Sequence, residues 1–121
     1  MISPEQFEEF CLPILDQEIR NMDHNIFHLD GKGVARHLDK ILEFPEINAI
    51  QWVQGEGPDR PIVPWVPLIQ KIQNAEKSVM VILHPHELEA FIDAVDPKGI
   101  YLFVDADAEI QTDVIKRVEK W

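Results

Sequence analysis

Hydrophobic positions along this chain alternate between two periods. Phe7, Phe10, Cys11, Ile14 and Leu15 recur at the three- and four-residue spacing of one helix face. Ser3-Pro4-Glu5-Gln6 supplies its start: Ser3 can cap, Pro4 suits the first turn, and Gln6 can complete a capping box. Pro13 is expected to kink that helix. The short run from Ile26 to Leu29 then predicts a strand, and Val34, Leu38, Ile41 and Leu42 predict a helix over 34–44, ended by Pro45. The alternation returns three times. Strands are predicted at 47–53, 78–83 and 99–104, and helices at 65–75, 85–95 and 110–121. Trp65, Leu68, Ile69 and Ile72 form the inward stripe of the first of these helices, and Leu88, Phe91, Ile92 and Val95 that of the second.

Apolar strands separated by single helices indicate a parallel sheet built from right-handed crossovers. The fold class is therefore α/β: a leading helix, then four βα units, as one domain over 1–121. Two architectures satisfy this pattern. A four-stranded parallel sheet can stand alone with helices on both faces, or it can be half of an eight-stranded barrel.

Composition narrows the function classes. The 121 residues carry 22 acidic and 11 basic side chains, a formal net charge of -11, with no concentrated Lys/Arg segment. Such a surface repels phosphate backbones and anionic lipid, so neither nucleic acid nor membrane is an expected partner. Cys11 is the single cysteine, which excludes an internal disulfide or a thiolate zinc knuckle and points to a reducing, cytoplasmic setting. No GxGxxG, GxxxxGK[ST] or nucleophile-elbow pattern is present. The first residues lack a signal-peptide pattern, and no apolar stretch approaches the roughly 20 residues of a membrane span.

The polar residues are unevenly placed. In both architectures function gathers at the carboxyl ends of the strands, and those ends are where the chemistry-bearing side chains stand. The first strand ends in His28 and Asp30, which share a face by strand alternation. The second opens into a long loop through Gln54, Glu56 and Arg60; the third ends at His84-Pro85-His86; the fourth ends at Asp105-Ala106-Asp107. Asp30, Asp105 and Asp107 can equally be helix caps, and so can His84 before Pro85. His24 and His37 read as solvated surface residues, and Trp52 and Trp65 as core. His28 lies inside its strand, where no capping role exists. An imidazole, a carboxylate two residues on, and further carboxylates at another strand end make a candidate hard-ligand metal or proton-transfer site.

"SPEQFEEFCLPIL", "IFHLDG", "INAIQWV" and "GIYLFVDADAEI", in that order, resemble the C-terminal portion of the uroporphyrinogen decarboxylase superfamily, which includes the corrinoid (cobalamin-dependent) methyltransferases. The resemblance implies a TIM barrel longer than this chain, hence a fragment carrying its last units. It also implies a ligand set. His28 matches the histidine of the family's His-x-Cys strand, Asp30 stands in place of the first cysteine, and Asp107 falls near the second. Both thiolates are thus replaced by carboxylates, which suits a divalent metal, zinc or harder, held by His28, Asp30 and Asp107, with Asp105 in reserve. The same three residues are then the expected catalytic set, with Gln54, Glu56, Arg60 and His84 contacting a small-molecule substrate. A partner protein would bring a corrinoid, and the open sheet edges would favour homo-oligomers. The family's tetrapyrrole-binding arginines and aspartate lie on the N-terminal part of its barrel, with no counterpart here. The competing expectation is a non-enzymatic acidic α/β module that binds a protein partner, or a structural remnant that assembles with a separate half-barrel.

Overall fold

The computed structural model describes residues 2–121. Its sheet has four strands, β1 (Asn25–Asp30), β2 (Ile47–Val53), β3 (Ser78–Leu83) and β4 (Ile100–Val104). They lie in the order β1-β2-β3-β4, and every neighbouring pair is parallel. The expected α/β class with its parallel sheet therefore holds, and the strands follow one another in chain order.

The order decides between the two architectures. Right-handed crossovers that always step the same way deliver every helix to the same face of the sheet; a doubly wound sheet needs a reversal of strand order, and none occurs. Leu29, Ile50, Trp52, Val79, Val81 and Leu83 point into one buried layer. There they meet Leu38, Ile41, Ile69, Ile72, Leu88 and Phe91 from the helices, in one hydrophobic cluster. Among the described residues, no helix lies on the opposite face. The result is the arrangement of half a βα barrel, with its inner wall bare. Of the two architectures the sequence leaves open, the one with helices on both faces is not formed: the strands' apolar residues on the second face lie exposed or half-buried.

Local structure follows the sequence with some adjustments. Ser3 and Gln6 form the expected capping box, with Ser3 N–H donating to Gln6 Oε1 at 2.9 Å and Gln6 N–H to Ser3 Oγ at 3.2 Å. Pro13 has no N–H to give back along the helix. Instead of a sharp kink, the helix widens to a π-turn over Phe7–Cys11 and resumes as α-helix over Leu12–Ile19. The helix expected over 34–44 is two short ones, Gly31–Ala35 and Leu38–Leu42. His37 sits at the break, buried, its ring stacked on Phe7 with centroids 4.2 Å apart. It is a docking point for the N-terminal helix and not the surface residue expected. The two later crossover helices run over Val66–Asn74 and Leu88–Ala94, each entered by a single 3-10 turn, and Gln111–Val118 closes the chain. No helix among the described residues is long and apolar enough to cross a membrane.

Candidate functional site

The bare face and its carboxyl rim carry the side chains singled out in the sequence. Strand alternation puts Ile26, His28 and Asp30 of β1 on this face, all exposed. Ala49, Gln51 and Val53 of β2, Met80 and Ile82 of β3, and Tyr101 and Phe103 of β4 continue it. Ile26 is 69% exposed, Tyr101 63% and Phe103 52%. Large side chains of this kind lying together on one sheet face are unusual for a surface meant to meet water.

His28 is held from the side. Parallel pairing places it opposite Gln51, and His28 Nδ1 lies 2.9 Å from Gln51 Oε1. Asp30 stands where a cap for the Gly31–Ala35 helix would be, but its carboxylate makes no capping hydrogen bond. Asp105 and Asp107 do not cap by side chain either, since Ile110 is the N-cap of the last helix and makes no side-chain bond.

A second group forms across β2, β3 and β4. Gln54, Arg60, His84 and Asp105 line one cavity of about 30 Å³ with Ile82 and Leu83, the size of a single water. His84 Nδ1 and Asp105 Oδ2 are 3.9 Å apart, an ion pair when the ring is protonated. Gln54 is buried, and its amide nitrogen donates to the carbonyls of Arg60 at 2.8 Å and Ile82 at 2.9 Å. Both N–H groups thus pin the loop to β3, so Gln54 builds the rim and has no N–H left for a substrate. Glu56 stands outside the cavity on an exposed loop, 3.8 Å from Arg60. Across the rim, Lys32 from the short helix after β1 meets Asp59 from the loop after β2 at 2.9 Å.

The set His28, Asp30 and Asp107 does not close into a metal centre within this chain. Among the described residues, no group of three or more His, Cys, Asp or Glu side chains could hold a metal ion. Topology gives the reason. β1 and β4 are the two edges of the sheet, and three strand spacings amount to about 14 Å. Asp107 belongs to the turn after β4, where its carbonyl accepts from Ile110 N–H at 3.0 Å. A corrinoid is likewise too large for the rim cavity of this chain. A roomier cavity of about 490 Å³ lies at the amino ends of the strands, but Gln70 and Gln73 in its wall donate to the carbonyls of Ala94, Asp96 and Lys98. It serves the joints between units.

Sequence reasoning missed two residues that organise the rim. Gln51 is the one polar side chain inside the β2 run of Ala49 to Val53, and its parity matches His28. Glu87 follows His84 at capping-box spacing after a proline. Its buried carboxylate accepts from Ile62 N–H at 2.7 Å and His84 N–H at 3.3 Å. Glu87 therefore fastens the long β2 loop to the end of β3. No family model matches the chain, and no curated protein or solved structure matches it.

Proposed function

We propose that the chain is the C-terminal half of a barrel enzyme similar to the uroporphyrinogen decarboxylase superfamily, in its corrinoid-linked methyltransferase branch. The observation that carries this reading is the helix-free sheet face, with His28, Gln51 and Asp30 on its wall and Arg60, His84 and Asp105 at its carboxyl rim. In a barrel that face is the interior, and the rim is where barrel enzymes bind their substrates. Two more strips of surface agree with it. Phe10 and Ile14 on the N-terminal helix are exposed, as are Ile110 and Ile115 around the last helix. Flanking helices of a closed barrel would bury residues in those places.

In this reading His28 takes a proton from, or returns it to, a small-molecule substrate. Asp30, on the same face two residues on, stabilises the imidazolium that results. Arg60 and His84 hold polar groups of the substrate at the rim. The metal and the corrinoid implied by the family likeness are not held by the residues of this chain taken alone, so the roles written here are confined to its own side chains, and methylcobalamin enters the test only as an added substrate. The alternative, an acidic protein-binding module, draws on the same exposed apolar wall and on the net charge of -11.

The test uses the natural-length polypeptide that carries this chain, given methylcobalamin and a small thiol under anaerobic conditions. Consumption of methylcobalamin is expected, falling by about 10²-fold or more in His28→Ala, the range for loss of a general acid-base group. Equal turnover by His28→Ala would contradict the role given to that residue. No turnover, with the bare face instead occupied by a separate protein chain, would favour the binding module.

A further inference from the structure

We propose that Gln51 is a positioning residue that fixes the tautomer of His28, making Nε2 the basic atom of the site. The inference rests on the role given to His28 above and extends it to a residue outside the expected site set. Three observations carry it. His28 and Gln51 are direct partners in adjacent parallel strands, so both backbones are held by the sheet ladder. Their side chains lie on the same open face, with Nδ1 and Oε1 2.9 Å apart. Gln51 is also the sole polar residue that β2 places among Ala49 and Val53 on that face.

The chemistry follows from the acceptor. An amide oxygen can only accept, so a neutral ring bonded to it carries its proton on Nδ1. The lone pair is then on Nε2, on the far side of the ring. This reverses the preference of a free histidine side chain, which favours the Nε2–H form. A hydrogen bond from one ring nitrogen commonly sets what the other can do. The choice of Gln over Glu matters as well. A carboxylate here would favour the imidazolium and keep the base occupied, whereas a neutral amide orients the ring and leaves it ready to accept.

The experiment is a long-range ¹H–¹⁵N spectrum of the imidazole groups at pH 8, on the ¹⁵N-labelled natural-length polypeptide. The expected pattern for His28 is a protonated, pyrrole-type Nδ1 and an unprotonated, pyridine-type Nε2. In Gln51→Leu the Nε2–H form becomes the major one, while Gln51→Glu keeps the acceptor and the Nδ1–H form. Unchanged His84 and His86 signals in both variants establish that the rim is intact. Finding His28 as the Nε2–H form in the parent, or the same spectrum in parent and Gln51→Leu, overturns the proposal. This readout is independent of turnover, so failure of the proposed enzymatic function and failure of the Gln51 role are told apart.

Discussion

Replacing Glu87 by alanine should loosen the rim, and the size of the effect can be worked from its bonds. Ile62 is fully buried, so its N–H loses its only described acceptor and finds no water in exchange. A buried hydrogen bond to a charged group contributes about 1.5–3 kcal/mol, and the 2.7 Å separation places this one in that range. The bond from His84 N–H, at 3.3 Å, is long and adds about 0.5 kcal/mol. Removing the carboxylate also removes the cost of keeping it from water, which offsets part of the loss. The net expectation is about 2–3 kcal/mol of destabilisation. With a urea slope near 2 kcal/mol/M, ordinary for a domain of this size, the midpoint should fall by about 1–1.5 M. Fluorescence of Trp52 and Trp65, packed together 4.8 Å apart beside the loop, reports the transition. Glu87→Gln keeps one acceptor oxygen and should lose only about 1 kcal/mol. Amide exchange at Ile62 should accelerate in the alanine variant well beyond the global change. A midpoint within about 0.2 M of the parent, or an Ile62 amide protected as before, would refute the claim that Glu87 holds the loop.

Two further expectations concern the joints of the fold. His37 is buried against Phe7, and burial, aided by neighbouring Arg36, pushes its pKa below the ordinary histidine value of 6.5. Between that lowered value and 6.5 the unfolded chain binds a proton that the folded chain does not, so stability rises with pH across the window and is lost as pH falls below 6.5; urea titrations should show this acid slope in the parent and a flatter one in His37→Phe, and equal slopes would contradict the assignment. Gly99 opens β4 with φ of +74°, and an added Cβ would sit 3.4 Å from Ser78 Oγ. Gly99→Ala should lower stability by about 1–2 kcal/mol, the strain of a side chain in the left-handed region, and a stabilised variant in thermal melts would show that this backbone can relax.

The strands and their order were legible because each is a compact apolar run set off by helix-period segments. The order β1-β2-β3-β4 needed only short crossovers between neighbours. What periodicity missed lies on the second face of the sheet. Met80, Ile82, Tyr101 and Phe103 lie in continuous apolar runs, and nothing in the local pattern distinguishes a wall packed by helices from one left open. The helix after β1 was read as continuous because Val34, Leu38, Ile41 and Leu42 keep helical spacing, yet burial of His37 against Phe7 accompanies a break that spacing does not encode. At the site, His28 and Asp30 could be paired from strand alternation alone, since that is a local rule. Asp107 was grouped with them through the family likeness, and the sequential strand order, which puts β1 and β4 at opposite edges of the sheet, works against that grouping within this chain. Gln54 reads as a substrate contact and Glu87 is passed over, whereas both work as struts with a partner more than 20 residues away.

The central claim is that the bare face is the inside of a barrel, and hydrogen exchange at its two edges tests it most directly. β1 and β4 each have a partner on one side only within this chain, so half of their backbone N–H groups point outward with no strand to accept them. If the proposal holds, a closed barrel in a longer polypeptide would supply parallel neighbours for both. The account predicts that amides of Ile26 to Asp30 and of Ile100 to Val104 are then all protected, to the same degree as those of the central strands β2 and β3. Alternate residues of β1 and β4 exchanging at unprotected rates, beside a slowly exchanging β2 and β3, would mean an open sheet and would contradict it.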